Sequence, residues 1–393
     1  MDAPERERHE ATVNTPMDRR GFFRKGACVG AATWALAKTT RNGPAVAIAE
    51  EQRPSAPLAA EEARHYDKLE TGAVRCRLEP RECEIGNGER GFCGVRENRA
   101  GKYYSLTYGR PCAIRVAHIE ETFMHVLPGA KALNVGTAGC NLQCQFCNTF
   151  HISQARPEDT TNEALTPEQL VERAKAEGCS VICFTDNEPV VCFEYMMDTA
   201  KAARAAGLKT TCHTAGHLHP EPATELAGVL EAVCVDLKAA TNEVHEKLTM
   251  VKLDPVLDTL KHFAKLGLHM EVASPLLPKY NDPPEFATAA AQYILSAGGA
   301  EVPWMLMRYF PSYNMLTGIA TPLSMMRETL EVGQTTGLKH VYLCNVRTDD
   351  GQNVTCPKCG ETCVKREAGE VECTWTKPGA CPKCNTKIPG VWG

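Results

Sequence analysis

Between Lys131 and Val346, short apolar runs alternate with amphipathic stretches, and this pattern limits the possible folds of the chain more than any other feature. One run and one stretch together take roughly 30 residues, which is the size of a strand–helix repeat. Such alternation is typical of a parallel sheet covered by helices. The apolar runs that we predict to be strands are Ala132–Thr137, Ser180–Thr185, Leu208–Thr214, Ala232–Leu237, His269–Leu277, Trp304–Phe310 and His340–Val346.

Helix start signals lie between these runs. Thr166-Pro167-Glu168-Gln169 predicts an N-cap, a proline in the first turn and a capping-box glutamine. Asp254-Pro255 and Thr321-Pro322 predict two further helix starts of the same kind. We therefore predict an α/β fold, a partial (β/α)6 TIM-type barrel over residues 131–350. A doubly wound open sheet is the alternative that periodicity does not exclude, and in both folds the active site lies at the carboxyl ends of the strands.

Composition narrows the class of protein. The 393 residues are 43% hydrophobic and 23% charged, which is the balance of a soluble globular protein with a large core. The net charge of −5 and the pI of about 6.2 give no bulk attraction to nucleic acid, so we predict no nucleic-acid partner. We also predict no transmembrane segment, because no stretch has the roughly 20 apolar residues that a spanning helix needs.

The chain has 20 cysteines, many of them in short-spaced groups. Disulfide frameworks suit small secreted domains with poor cores, so this long chain favours metal ligation. Cys140, Cys144 and Cys147 follow the first predicted strand with the spacing C-x3-C-x2-C. Three thiolates on one loop can hold three irons of a [4Fe–4S] cubane and leave the fourth iron open for a ligand. A structural zinc site would need a fourth ligand, and three buried free thiols are the remaining alternative.

The motif C-x3-C-x-aromatic-C after a first barrel strand resembles the radical S-adenosylmethionine superfamily. The surrounding segments are similar to the AmmeMemoRadiSam-type radical enzymes, which are relatives of pyruvate formate-lyase activating enzyme. The resemblance extends from Cys76 to Gly393. The segments that carry it are Gly136–Asn141, Ile152–Pro157, Asn187–Pro189, Val235–Lys238 and Ile388–Trp392.

This resemblance implies a [4Fe–4S] cluster and S-adenosyl-L-methionine as cofactors. In the family, the cofactor chelates the open iron and is cleaved reductively to a 5′-deoxyadenosyl radical that abstracts hydrogen from a substrate. The chain would then be a radical oxidoreductase that needs a low-potential electron donor, similar to the enzymes that activate glycyl-radical proteins. The substrate stays open between a protein or peptide and a small molecule.

The resemblance also implies cofactor-binding residues. Phe146 would pack beside the adenine, and Asn187 and Glu188 would receive the amino group of the cofactor, with Asp236 and Lys238 nearby. From the residues alone, Phe146 could instead fill the core. Glu188 could be an acid at a helix N-terminus, and Asp236 could form a plain salt bridge.

The chain departs from its relatives at two places. Thr214-Ala215-Gly216, preceded by His213, stands where relatives have Thr-Asn-Gly, which puts the usual monovalent cation beside Asp236 in doubt. Phe310 stands where relatives usually carry histidine, so substrate contacts there are not carried over.

Two Cys-Pro-Lys-Cys knuckles predict a second metal centre in a zinc-ribbon-like tail over residues 351–393. Its ligands would be Cys356, Cys359, Cys381 and Cys384. Zinc would staple a tail with little core of its own, whereas iron would make the centre rubredoxin-like, and the spacing does not distinguish the two metals.

A further group of cysteines lies in the segment 72–130. Cys76, Cys83 and Cys93 predict a possible metal site there, with Glu79 as a mixed ligand where relatives often have cysteine. Cys112 is a candidate fourth thiolate.

The first residues resemble an exported leader. Arg19-Arg20 and the apolar stretch after them predict a twin-arginine-type leader over residues 1–49, followed by a linker over residues 50–71. A chance arginine pair is the alternative. Localisation stays open, because the leader indicates periplasmic export whereas S-adenosylmethionine and low-potential reductants are cytoplasmic. The leader and the altered barrel motifs leave a second hypothesis, an exported iron–sulfur electron-transfer protein without cofactor cleavage. The cysteines of the tail and of the amino-terminal segment leave a third, a zinc-scaffold interaction module.

Overall fold

The computed structural model describes residues 60–348, 350–367 and 369–393. The predicted leader and residues 50–59 of the predicted linker lie outside the described residues. The first described part forms two three-stranded antiparallel sheets, β1-β6-β5 and β2-β3-β4. Their strands are β1 (Glu61–Glu62), β2 (Tyr66–Lys68), β3 (Val74–Cys76), β4 (Glu84–Ile85), β5 (Arg96–Arg99) and β6 (Lys102–Ser105).

The prediction of a linker over residues 50–71 is wrong for its last part, because β1 and β2 lie there. Glu61 and Glu62 pair with Ser105 and Tyr104, and Tyr66–Lys68 pairs with β3. The strand β1 is exposed, and β2 is largely so. Such strands carry no apolar alternation that a sequence pattern could reveal.

The central sheet has eight strands in the order β14 to β7. The strand β7 pairs antiparallel with β8, and the other neighbours pair in parallel. The strands are β7 (Ala113–His118), β8 (Lys131–Gly136), β9 (Val181–Phe184), β10 (Lys209–Thr214), β11 (Ala232–Asp236), β12 (His269–Leu276), β13 (Trp304–Arg308) and β14 (Val341–Cys344).

Each of the seven predicted apolar runs coincides with one of the parallel strands, β8 to β14, although β8 begins one residue before its run. The strands follow one another in chain order, whereas a doubly wound sheet reverses its order at a switch point. The doubly wound alternative is therefore excluded. Because the sheet begins at β7 and ends at β14, it is an open barrel, and β7 is an antiparallel edge strand that the sequence pattern did not predict.

Helical crossovers join successive parallel strands, as the predicted strand–helix alternation requires. The helices are α1 (Phe150–Ser153), α2 (Pro167–Ala176), α3 (Phe193–Ala205), α4 (Pro220–Ala227), α5 (Asn242–Thr249), α6 (Asp254–Leu266), α7 (Glu285–Gly298) and α8 (Leu323–Thr336). Short 3₁₀ turns cover Ile119–Glu121, Pro157–Asp159, Pro189–Cys192 and Tyr313–Met315. In the described part of the chain, no helix is both long and apolar enough to span a bilayer.

The predicted helix starts are confirmed in part. Thr166 caps α2, and its hydroxyl accepts from the Gln169 amide within a full capping box. The other two predicted caps are each wrong by one residue, because Leu253 and Pro322 occupy the N-cap positions of α6 and α8. The Thr321 hydroxyl instead accepts from the Tyr309 amide and donates to the Leu276 carbonyl oxygen. These two groups lie at the carboxyl ends of β13 and β12, at the end of the sheet that we call the mouth of the barrel.

The two faces of the sheet pack against different partners. Leu133 and Val135 belong to the large core between the strands and the helices. Ala132 and Val181, near the amino ends of their strands, belong to a second core on the concave face, which includes Val354 and other residues of the tail. The tail contains β15 (Val354–Thr355), β16 (Thr362–Glu367) and β17 (Glu370–Cys373), and it packs against the concave face.

Six scattered cysteines are part of these cores, as expected for small buried hydrophobic residues. All six are free and buried. They are Cys179, Cys183, Cys192, Cys212, Cys234 and Cys344.

Candidate functional site

The loop that follows β8 at the mouth of the barrel carries Cys140, Cys144 and Cys147. All three thiols are free and partly exposed. Gly139 stands before the first of them with φ +85°, and a Cβ there would lie 2.4 Å from Val95 and 2.5 Å from the Cys93 carbonyl oxygen. Only glycine fits this left-handed, crowded position, so the loop lies directly against the amino-terminal segment.

Asn187, at the end of β9, fixes the start of this cysteine loop. Its Nδ2 donates to the Gly139 carbonyl oxygen at 2.7 Å, and its Oδ1 accepts from the Thr137 amide at 3.1 Å. Both ends of the amide are therefore used within the protein. Asn187 positions the loop, and the cofactor contact that the resemblance implies for it stays a prediction.

Other elements hold the rest of the loop. The Gln143 amide donates to the Thr249 carbonyl oxygen at the end of α5 at 3.0 Å. The Ser312 hydroxyl, from the loop after β13, donates to the Cys147 carbonyl oxygen at 3.0 Å. Three parts of the barrel therefore restrain the backbone that carries the thiols, and Ser312 is a contact that the sequence did not reveal.

The chemistry of the thiols fits a metal cluster. Burial raises the pKa of Cys140 well above its ordinary value, and it raises the pKa of Cys144 to about 12 although Lys238 opposes this shift. Binding of a metal to Cys140 and Cys144 would therefore have to displace a proton from each thiol.

The three loop cysteines are not part of a compact ligand group for a single ion. Four sulfurs around one zinc lie about 3.8 Å apart, given a Zn–S bond of about 2.3 Å. Among residues 60–348, 350–367 and 369–393, the potential metal ligands whose atoms all lie within 4.8 Å of one another are the four cysteines of the tail. Cys140, Cys144 and Cys147 do not belong to such a group. The [4Fe–4S] cluster that the C-x3-C-x2-C motif predicts at this loop stays a prediction.

Glu188 is buried beside the cysteine loop, with only 2% of its surface exposed. Its carboxylate accepts from the Val190 amide at 3.1 Å, the Thr214 hydroxyl at 2.7 Å and the Ala215 amide at 2.7 Å. Burial raises its pKa despite these donors. Glu188 caps the 3₁₀ turn Pro189–Cys192, so it has the role of an acid at a helix N-terminus that the residues alone allowed. Its contact with the amino group of the cofactor stays a prediction.

Asp236 lies at the centre of a charged group on the same side of the barrel. His213 Nε2 lies 3.0 Å from Asp236 Oδ1, and the Lys238 ammonium bonds to Oδ2. Burial alone would raise the pKa of Asp236, but Lys238 and His213 lower it well below its usual range. The predicted salt bridge is present, and His213, which precedes the Thr214-Ala215-Gly216 segment, is an additional partner of Asp236.

Phe146, the aromatic residue that the resemblance placed beside the adenine, lies near the mouth of the barrel, as does Phe310. Phe146 is partly buried against Leu248, Leu277 and Tyr309, so it has the packing role that the residues alone allowed. Phe310 is 49% exposed, with the Arg308 guanidinium 5.1 Å from its ring centre. The exposure of Phe310 at the mouth was not predicted, because a loop has no sequence periodicity that distinguishes exposed from buried side chains.

The metal site expected at the amino-terminal cysteines stays a prediction. Among the described residues, Cys76, Cys83 and Cys93 are not part of a group of three ligands within 4.8 Å. The Glu79 carboxylate instead lies 2.9 Å from His217 Nδ1, and both side chains are buried. This contact joins positions far apart in the chain and engages the carboxylate that the sequence assigned to a metal. Cys112 packs beside Ala138 and Val95.

The tail contains a compact four-cysteine group, as predicted. The ligand atoms of Cys356, Cys359, Cys381 and Cys384 all lie within 4.8 Å of one another. The Cys356 and Cys384 sulfurs are 3.5 Å apart, and the Cys359 and Cys381 sulfurs are 3.6 Å apart. These separations match tetrahedral ligands of a single ion.

Each knuckle of the tail ends in a residue with positive φ. Gly360 has φ +74°, and Asn385 has φ +57°, which are positions that glycine and asparagine tolerate best. Backbone bonds from Gly360 to Cys356 and from Asn385 to Cys381 close the two turns. Cys363 and Cys373, between the knuckles, are both free.

The sheet and its three-cysteine loop define an iron–sulfur enzyme of the radical S-adenosylmethionine class. Residues 134–288 match the family model of the Radical SAM superfamily. The chain belongs to this superfamily.

Two curated relatives and one solved structure show the range of similarity. An uncharacterized protein of Methanocaldococcus jannaschii is 34% identical over 306 residues, which are 78% of this chain and 91% of that protein. The pyruvate formate-lyase-activating enzyme of Listeria monocytogenes is 26% identical over 179 residues, 42% of this chain and 70% of that enzyme. A crystallised domain of the corresponding enzyme from Bacteroides vulgatus has 17% identity and a TM-score of 0.38, over 41% of this chain and 96% of the domain.

Proposed function

We propose that this protein cleaves S-adenosylmethionine reductively at a [4Fe–4S] cluster held by Cys140, Cys144 and Cys147, and abstracts hydrogen from a glycine of a polypeptide. The observation that carries the proposal is the loop of three thiols at the carboxyl end of β8, beside Glu188 and the Asp236–Lys238 pair. The likeness to pyruvate formate-lyase-activating enzymes supports the glycyl part of the proposal.

When bound, the cluster and S-adenosylmethionine supply a 5′-deoxyadenosyl radical, which is strong enough to take hydrogen from an unactivated C–H bond. The protein's own side chains set the surroundings. Lys238 places a buried positive charge that favours the thiolate form of Cys144. Glu188 Oε2 accepts one hydrogen bond from Ala215 and keeps acceptor capacity for an ammonium group.

The restraints on the cysteine loop have a function in this proposal. Asn187 and Ser312 hold the loop from two sides, so the cluster ligands keep their positions when the cofactor and the substrate exchange. The helices and the tail cover both faces of the sheet, which keeps water from the interior of the barrel. A low-potential protein is the electron donor in this proposal.

The test uses a glycyl peptide with both α-hydrogens replaced by deuterium. Reconstituted, reduced protein is incubated with S-adenosylmethionine and the peptide, and deuterium in 5′-deoxyadenosine is measured by mass spectrometry. Transfer of deuterium, together with a glycyl radical signal in electron paramagnetic resonance, is the expected result. 5′-Deoxyadenosine that never contains deuterium would contradict the glycyl assignment and leave the cleavage itself standing.

For the tail we propose one zinc ion bound by its four cysteines. A tail of this length has little core of its own, and a bound ion would stabilise its fold.

A further inference from the structure

The loop that follows β13 exposes large apolar side chains at the mouth of the barrel. Among the described residues, eight large hydrophobic side chains are exposed, and three of them lie within residues 309–320. They are Phe310, Leu316 and Ile319, which are 49%, 70% and 61% exposed. Single exposed apolar side chains are normal, but a group of them on one short loop indicates an interaction surface.

This loop has a defined conformation. The Tyr309 amide donates to the Thr321 hydroxyl at 2.8 Å, which joins the two ends of the loop. The Tyr309 hydroxyl donates to the Met315 carbonyl oxygen at 3.0 Å, which joins one end to the middle. The apolar side chains are therefore held outward by a loop that is bonded at its base.

The loop lies directly against the cysteine loop. The Asn314 amide donates to the Gln145 carbonyl oxygen at 3.0 Å. The Tyr313 ring stacks on the Phe150 ring, with the ring centres 4.9 Å apart and the planes 19° from parallel, and Phe150 is itself 40% exposed. We call the four exposed side chains of these two loops the apolar rim: Phe150, Phe310, Leu316 and Ile319.

The two loops that carry the apolar rim have no charged residue. Neither residues 309–320 nor residues 137–155 contain Asp, Glu, Lys or Arg, although such residues make up 23% of the chain, and their one histidine is His151. Arg308, at the end of β13, flanks the rim and bonds through Nε to the Thr321 carbonyl oxygen. A charged partner would lose hydration at this surface without gaining a counter-charge from either loop, so the rim is complementary to an uncharged, apolar partner.

The shape of the apolar rim favours a polypeptide over a small molecule. Sites for small molecules are concave and enclose most of the ligand, whereas most of the Leu316 and Ile319 surface is open to solvent. Polypeptides are recognised by several apolar side chains spaced along an open surface. Because the rim is continuous with the loop that carries the thiols, a chain that lies on it also lies beside the reaction site.

We propose that the apolar rim is the docking surface for the polypeptide substrate, and that it selects substrates with uncharged, apolar side chains on either side of the reacting glycine. This inference rests on the proposed function and names the kind of polypeptide that the same site accepts.

The binding test uses reconstituted, full-length protein with S-adenosylmethionine and two blocked peptides that have glycine at the centre. In one peptide leucine and phenylalanine flank the glycine, and in the other serine takes their places. Calorimetric titration should show that wild type binds the apolar peptide about tenfold more tightly than the serine peptide. Equal affinity for the two peptides, or no binding of either, would overturn the proposal.

The double variant Leu316→Ser/Ile319→Ser locates the preference on the rim. It should bind the apolar peptide about tenfold more weakly than wild type and the serine peptide equally well. Val116→Ser/Leu266→Ser is the matched control, because these side chains are also exposed, at 42% and 41%, but lie on β7 and at the end of α6. A double variant of the rim that keeps the preference of wild type would contradict the proposal.

Photochemical cross-linking tests the same assignment in wild type, so it does not depend on how a variant folds. A benzophenone group replaces the phenylalanine of the apolar peptide, and the cross-linked residues are mapped by mass spectrometry. Cross-links within residues 309–320 or at Phe150 are expected. Cross-links confined to other parts of the chain would overturn the proposal.

Two other occupants of the apolar rim give different results. If the rim bound a membrane, wild type would sediment with phosphatidylcholine vesicles and Leu316→Ser/Ile319→Ser would not. If it bound a second copy of the chain, analytical ultracentrifugation would show a wild-type dimer and a monomeric variant. We expect wild type to stay in solution with vesicles and to sediment like the variant, and either of the other results would overturn the proposal.

The formation of 5′-deoxyadenosine by wild type keeps this inference distinct from the proposed function. If wild type forms no 5′-deoxyadenosine, the proposed function fails. If wild type forms 5′-deoxyadenosine but binds the apolar and the serine peptide equally, only the role of the apolar rim fails.

Discussion

The side chain of Asn187 donates to the Gly139 carbonyl oxygen at 2.7 Å, so the end of β9 holds the loop that carries the three cysteines. Asn187→Asp loses this donor and turns a carboxylate oxygen towards the carbonyl oxygen. We expect the cluster of this variant to be lost several-fold faster in the presence of a chelator, as measured by the decay of iron–sulfur absorbance.

Asn162→Asp is the control for this prediction. Asn162 also donates to two backbone carbonyl oxygens, at Pro157 and Thr160, but outside the cysteine loop. Its cluster should decay at the wild-type rate. Equal decay in both variants and wild type would show that Asn187 does not restrain the loop.

Removal of only one charge of the Asp236–Lys238 pair should lower the free energy of unfolding. Asp236→Asn leaves the Lys238 ammonium buried without its counter-charge, which typically costs about 3–5 kcal/mol. The double variant Asp236→Asn/Lys238→Met should recover much of this loss, because both charges are removed. Urea unfolding measures both values, and a loss below about 1 kcal/mol for the single variant would contradict a closely coupled pair.

The stability of the fold should depend on pH through His125. This histidine bonds to the Pro389 carbonyl oxygen at 2.7 Å and to the Tyr342 hydroxyl at 2.6 Å, and burial lowers its pKa well below the ordinary value. The unfolded chain therefore binds the proton more readily. Stability from this group is complete above its unfolded pKa of about 6.5 and falls below it by up to roughly 1.4 kcal/mol per pH unit.

The non-titrating variant His125→Asn tests this dependence. Between about pH 6.5 and pH 5, the unfolding free energy of this variant should depend less steeply on pH than that of wild type. The slope should be smaller by up to roughly 1.4 kcal/mol per pH unit, which corresponds to the uptake of one proton. His65, His245 and His340, whose pKa values burial also lowers, account for slope that remains. An unchanged slope would show that His125 takes up its proton in the folded protein.

Removal of one knuckle cysteine should empty the tail of metal without affecting the cluster. Cys356→Ser should reduce bound zinc from about one ion per chain to almost none, since structural zinc needs its four ligands. Cys373→Ser is the matched control, because Cys373 is an exposed, free thiol of the same tail outside the four-cysteine group. Metal analysis should give full zinc for the control and unchanged cluster iron for both. Iron in the tail of wild type would replace the zinc assignment with a rubredoxin-like one.

The sequence predicted those parts of the fold that depend on local patterns. The apolar runs located β8 to β14, and Thr166 with Gln169 located the start of α2, because burial and capping act over a few residues. The choice between barrel and doubly wound sheet depends on strand order, which periodicity does not contain.

The candidate site divides in the same way. The group of four tail cysteines was predicted correctly because each Cys-Pro-Lys-Cys knuckle is a local pattern. The three thiols of the loop, which also form a local pattern, stay predicted ligands. The pair of Glu79 with His217 joins positions far apart in the chain, so the sequence assigned Glu79 to a metal instead.

The most direct test of the central claim is the formation of 5′-deoxyadenosine by anaerobically reconstituted, dithionite-reduced protein with added S-adenosylmethionine. The account predicts that wild type forms it and that the variant with Cys140, Cys144 and Cys147 all replaced by alanine does not. Formation by the triple variant would contradict the assignment of these ligands. An intact cluster in wild type that never cleaves the cofactor would contradict the radical chemistry and favour an iron–sulfur electron-transfer protein.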